Sequence, residues 1–186
     1  MYQVSERVKK QFEYTMSIPC VKEAMKFIQE DERNTIEEQK ELVLIEAPTR
    51  EEEKRAAVMM EKFKALGLEN VHIDRGGNVV GLRRGSGKGP KVLIEGHLDT
   101  VFPFGTVHGV EERDGFLYAP GIGDDTRALA MLLGLLRALN QNEIKTFGDI
   151  VFVATTREEG MGGLSGMKDF LNDNDDIDIS LTIDNN

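Results

Sequence analysis

The stretch Lys91-Val92-Leu93-Ile94-Glu95-Gly96-His97-Leu98-Asp99 decides how the chain is read. Its opening is a short apolar run consistent with a buried strand, and it delivers His97 and Asp99 at the strand's end. Asp149 to Thr155 is a second buried-strand candidate, delivering Glu158 and Glu159, and Ile179 to Ile183 is a last strand, delivering Asp184. Between them, Gly121-Ile122-Gly123-Asp124-Asp125-Thr126 presents two adjacent carboxylates where a helix should start. One imidazole and a set of carboxylates at strand ends suggest a hydrolytic metal site, because that donor set suits zinc and its first-row neighbours. Open α/β sheets also hold their ligands at the carboxyl ends of strands.

Working outward, the first 66 residues read as helical. Val4 to Met16 and Val21 to Glu30 are helices separated near Pro19. Thr35 with Glu38, and Thr49 with Glu52, are capping boxes that would start helices at about Ile36 and Arg50. Ala57, Met60, Phe63 and Leu66 form an apolar stripe, and Gly67 sits where a helix-ending glycine belongs. Val71 to Ile73 and Val79 to Leu82 are strands flanking the turn Arg75-Gly76-Gly77-Asn78, and a small hairpin is expected around Asp114-Gly115. Arg127 to Leu139 is apolar nearly all round and predicts a buried helix. Gly162 to Leu171 predicts a short helix, and Asn172 to Asp178 a polar loop. Strands alternating with helices make the fold class α/β, a three-layer sandwich with a largely parallel central sheet.

The chain has 186 residues, enough for one domain with a real core, and 40% of them are hydrophobic. The net charge of −10 argues against a nucleic-acid partner and against an anionic membrane surface. No run reaches the roughly 18 apolar residues of a membrane span, and Met1 to Lys10 lacks a secretory signal pattern. Cys20 is the single cysteine; it reads as structural and excludes an internal disulfide. A reducing, cytoplasmic location is the expectation.

In an extended segment His97 and Asp99 share a face, so Asp99 can fix the imidazole's tautomer; a strand-end His satisfied by a turn Asp is the competing reading. Asp124 can be a ligand while Asp125 or Thr126 caps the following helix. Side chains of neighbouring residues diverge, so one of Glu158 and Glu159 can bind metal while the other serves a reacting water as general base. His72 reads as exposed, and His108 is a weaker candidate for substrate contact.

The ordered set His97-x-Asp99-Thr100-Val101, Ala119-Pro120-Gly121-Ile122-Gly123-Asp124-Asp125, Glu158-Glu159-Gly160 and Asp184 resembles the co-catalytic zinc peptidases that include peptidase T, glutamate carboxypeptidase and the aminoacylases. Ile45-x-Ala47-Pro48-Thr49-x-x-Glu52 resembles the family's N-terminal helix-to-helix segment. The resemblance implies that His97, Asp124 and Asp184 hold one zinc, and that Asp124 bridges to a second, also held by Glu159. It implies that Asp99 orients His97, that Glu158 is the general base, and that the Asp124–Asp125 peptide is cis. Cobalt or manganese would suit the same ligands. Asp at 184 is closer to the peptidase T and aminoacylase side of the family. Thr126 stands where the family often has Lys.

The expected substrates are small peptides, with acyl-amino acids as the alternative for a deacylase; a truncated, inactive metal- or peptide-binding remnant is the third reading. By the resemblance, residues 1–34 are a helical extension and residues 35–186 the N-terminal part of a catalytic domain. The late second-zinc histidine and the lid domain, through which a full-length homodimer would form, are not in the sequence. The chain alone is therefore expected to be inactive, to hold one metal at best and to self-associate.

Overall fold

A computed structural model describes residues 4–184. Four helices come first: α1 (Glu6–Ser17), α2 (Pro19–Glu30), α3 (Glu32–Val43) and α4 (Glu53–Ala65). Strands β1 (Glu69–Ile73), β2 (Val79–Arg83) and β3 (Val92–His97) follow, then the hairpin strands β4 (Glu111–Arg113) and β5 (Phe116–Tyr118). Helix α5 (Thr126–Gln141), β6 (Ile150–Thr155), α6 (Ser165–Asp173) and β7 (Ile179–Thr182) complete the described chain. No helix among these residues is long and apolar enough to cross a membrane.

The main sheet has the order β1-β2-β6-β3-β7. Strand β2 runs antiparallel to both its neighbours, while β6, β3 and β7 are mutually parallel, so β2 alone opposes the other four. The apolar runs in β3 and β6 arise because helices cover both faces of the sheet. Along β6, Ile150, Phe152 and Ala154 face a core built from Leu42 of α3, Met59 and Phe63 of α4, and Leu129, Leu132, Leu133 and Leu136 of α5. Val151 and Val153 alternate to the opposite face, under Phe170 of α6. The result is the expected three-layer α/β sandwich.

The N-terminal third departs from its sequence signals. Helix α3 starts at Glu32, not near Ile36, because Asp31 ends α2 in helical geometry and the chain continues almost without a break. Thr35 therefore lies inside the helix, where its hydroxyl accepts from Arg137 Nη2 at 3.1 Å; Arg137 also pairs with Asp31 and Glu38, tying α3 to α5. Helix α4 starts at Glu53, and Glu52 makes no capping bond to it. The buried face of α4 is Arg55, Ala56, Met59 and Phe63, so Ala57 is exposed. Arg55 sets that rotation: buried, it donates to the carbonyls of Ile45 (2.9 Å) and Leu98 (2.5 Å), which brings α4 against the end of β3. Cys20, read as structural, is exposed. Helix α6 begins at Ser165, after a single 3₁₀ turn at Gly160–Gly162, and it takes in Asn172 and Asp173 from the expected loop. The hairpin at Asp114-Gly115 forms, with φ of 53° and 79° at the two turn residues.

Phe152 is fully buried and meets Phe63 edge-to-face, with ring centroids 6.4 Å apart. Phe152→Ala should lower unfolding free energy by about 3–5 kcal/mol, read from the urea midpoint, since the cavity opens in the middle strand of the sheet.

Candidate metal centre

The centre is assembled where β3 ends and α5 begins. Asp125 is the N-cap of α5: one oxygen accepts from Ala128 N at 3.3 Å and the other from His97 N at 2.9 Å. One buried carboxylate thereby fastens the helix start to the strand end. Gly96 permits the approach, because a Cβ there would lie 2.7 Å from the Ala128 methyl. The preceding peptide, Asp124–Asp125, is cis, as the family resemblance implies. Asp124 then projects towards the imidazole.

His97 Nε2 lies 2.9 Å from an Asp124 oxygen, 3.9 Å from Asp125 and 4.0 Å from Asp184. Ligand atoms of His97, Asp124 and Glu159 all fall within 4.8 Å of one another, as do those of His97, Asp125 and Asp184. Asp125 is committed to two backbone N–H groups and is fully buried, whereas Asp124 and Asp184 retain exposure, which favours the latter two as ligands. The donor set is one ring nitrogen and several carboxylate oxygens, drawn from separate elements, and it fits a divalent first-row cation.

Asp99 does more than the sequence suggested. The imidazole Nδ1 faces the Asp99 backbone carbonyl at 3.0 Å, with the carboxylate farther off at 3.6 Å. The carboxylate itself accepts from the N–H groups of Glu158 (2.9 Å) and Glu159 (3.1 Å). Residue 99 thus touches the histidine mainly through its main chain and the two glutamates through its side chain.

The electrostatics follow from crowding. Burial opposes a charge on His97, but the Asp99 contact and the carboxylates of Asp125, Asp99 and Asp124 outweigh it and push its pKa up to about 10. Burial pushes Asp125 up to about 7, against the pull of His97 and of its two N–H donors. Glu158 and Glu159 are raised by burial and by neighbouring carboxylates, with His97 opposing. Burial also works against the charge of Asp99, but its hydrogen bonds hold it below the usual range.

A cavity of about 350 Å³ opens beside His97, Glu158 and Asp184, lined also by Glu95, Thr155, Leu164 and Met167. Thr126 bonds the carbonyls of Gly121 and Ile122 and takes no part in the centre. His72 is exposed, as read from the sequence. His108 is exposed on a loop whose Thr106 and Val107 N–H groups are held by Glu46, and it is not among the residues gathered round His97.

Two buried residues near the centre escaped the sequence reading. Asn78, read as a turn residue, accepts from Thr156 N (2.9 Å) and donates to Gly166 O (3.0 Å). Glu52, read as half of a capping box, accepts from the backbone N–H groups of Arg50 and Arg157. The available signal was Glu52's place in the Ala47–Glu52 motif; Asn78 carried none.

The chain is 35% identical over 121 residues to a proposed LysW-lysine/LysW-ornithine hydrolase of Pyrococcus abyssi, covering 65% of this chain and 32% of that protein. A Staphylococcus aureus tripeptidase superposes with a TM-score of 0.67 at 30% identity, over 82% of this chain and 43% of the other. The aminopeptidase PepT of Bacillus cereus gives a TM-score of 0.71 at 26% identity, with the same coverage of 82% and 43%. The chain spans about a third of the length of the curated relatives it matches. Residues 93–185 match peptidase family M20/M25/M40, and they contain each of the residues gathered round His97: this chain belongs to that family.

Proposed function

We propose that this chain is the N-terminal part, from about residue 35, of the catalytic domain of a metal-dependent peptidase that hydrolyses amide bonds of small peptides. Residues 1–34 are a helical extension to it; in keeping with that, α1 buries none of its residues. The observation that carries the reading is the convergence on His97 Nε2 of carboxylates from the start of α5 and the end of β7, with Glu159 beside them. The similarity to the tripeptidase and the aminopeptidase supports peptides as the substrate class. The proposed LysW-lysine hydrolase supports a second reading, release of an amino acid from an amide-linked carrier, by the same chemistry.

In this reading His97, Asp124, Glu159 and Asp184 hold zinc, with cobalt or manganese as substitutes. The metal supplies Lewis acidity for the amide carbonyl and the attacking water. Glu158 is the general base: it takes the water's proton as the C–O bond forms, then delivers it to the leaving nitrogen as the C–N bond breaks. Burial and the surrounding carboxylates raise its pKa towards working pH, which suits both halves of that task. Asp99 serves both partners, steadying His97 and holding the Glu158–Glu159 backbone. The complete protein is a homodimer joined through a lid domain.

Zinc titrated into this chain should bind at about one equivalent and release a proton, because His97 must lose its own to coordinate. Since the His97 pKa is raised, apparent affinity should climb with pH by up to about tenfold per unit below that pKa. Calorimetry in buffers of different ionisation enthalpy reads the proton directly, and Asp124→Ala should abolish the binding. Uptake without proton release, or undiminished in the mutant, would mean that zinc binds elsewhere.

Glu158→Gln in the protein carrying this chain should cost on the order of 10²–10⁴ in peptide hydrolysis while its zinc content stays the same. Unchanged turnover would remove Glu158 from the role of base.

A further inference from the structure

We propose that Glu52 is the positioning residue for Glu158, acting through the backbone of the segment that follows β6. The proposal rests on the reading of Glu158 as general base. Glu52 is only 5% exposed, lies ahead of α4, and spends no bond on capping that helix. One of its oxygens accepts two backbone N–H groups, from Arg50 at 2.9 Å and from Arg157 at 3.0 Å. Both residues lie in the left-handed region, with φ of 79° and 56°. Neither is a glycine, so both conformations cost energy and need an outside partner to hold them.

The next two N–H groups, those of Glu158 and Glu159, go to the two oxygens of Asp99. Three consecutive amides, 157 to 159, are thus captured by two buried carboxylates, in the manner of a backbone nest around an anion. Arg50 adds a further tie, its guanidinium donating to Met161 O at 3.2 Å. Upstream, Asn78 holds Thr156. The segment bearing both glutamates is therefore fixed at each residue from 156 to 159. Of these ties, Glu52 is the one that joins the amide of Arg157 to the loop ahead of α4. A displacement of about 1 Å at such a group is enough to cost on the order of 100-fold in rate.

The test compares Glu52→Ala, Glu52→Asp and Glu52→Gln. In this chain, amide exchange at residues 157–159 should accelerate by about tenfold or more in Glu52→Ala, with β3 and β6 unchanged. Glu52→Asp keeps the charge but withdraws the oxygen by one methylene and should behave alike, which covers the case of an alanine variant that does not fold. Glu52→Gln retains an acceptor oxygen of the same reach and should stay within about threefold of wild type. In the zinc-loaded protein, kcat should fall about 10- to 100-fold in Glu52→Asp with KM within about threefold, and Glu52→Gln should restore it. Exchange unchanged at 157–159, or accelerated equally through β3 and β6, overturns the proposal, as does a kcat loss as large in Glu52→Gln as in Glu52→Asp. A wild-type protein that hydrolyses no peptide, yet shows the exchange pattern, overturns the functional reading and leaves the tether standing.

Discussion

The parallel pairing of β3 with β6 is the constraint on which the rest depends. Six residue pairs, Val92↔Ile150 through His97↔Thr155, run in register, and Leu98 N continues the ladder to Thr155 O at 2.7 Å. Both strands carry apolar side chains to both faces, so a slip of one residue would exchange the cores above and below the sheet. With the register fixed, the two strands end level. His97-Leu98-Asp99 then emerges beside Thr156-Arg157-Glu158-Glu159, and the hydrogen bonds from the two glutamate amides to the Asp99 carboxylate close across a gap that the sheet has already set. The site is a consequence of flush strand ends.

Its chemistry comes from a charge imbalance tolerated at one place. Asp99, Asp124, Asp125, Glu158, Glu159 and Asp184 surround a single imidazole, and burial adds to the cost of charge on Asp99, Asp125, Glu158 and Glu159. The structure divides these acids by task. Asp99 and Asp125 are fully buried and satisfied by backbone N–H groups, so their oxygens serve to join elements. Asp124 and Asp184 are exposed enough to exchange water for a cation. Adjacent residues, Asp124 and Asp125, thus do different work because one faces the backbone and the other the opening.

The sequence was informative where one residue type at one period has one physical meaning. Apolar runs marked β3 and β6, Asp114-Gly115 marked the hairpin, and the ordered segments bearing His97, Asp124, Glu159 and Asp184 marked residues that the fold brings close together. It was misleading where local and tertiary partners compete. Thr35 and Glu38 have the spacing of a capping box, yet Arg137, a hundred residues on, claims both. Glu52 also has that spacing, and the Arg157 amide claims it. The Asp99 carboxylate was expected on the imidazole, but the loop amides lie nearer. In each case a hydrogen-bond partner distant in sequence outweighs a near one, and spacing along the chain cannot register that.

Strand β7 gives the centre an uneven build. His97, Asp99 and Asp125 sit in buried structure, whereas Asp184 follows β7, whose four residues are all exposed and which pairs, among the described residues, with β3 alone. One jaw of the site is set in the core and the other follows an exposed strand. A cation drawn between them would act as a rivet, converting chemical occupancy into stiffness of β7, and the fraying of that strand in this chain would gauge whether the rivet is in.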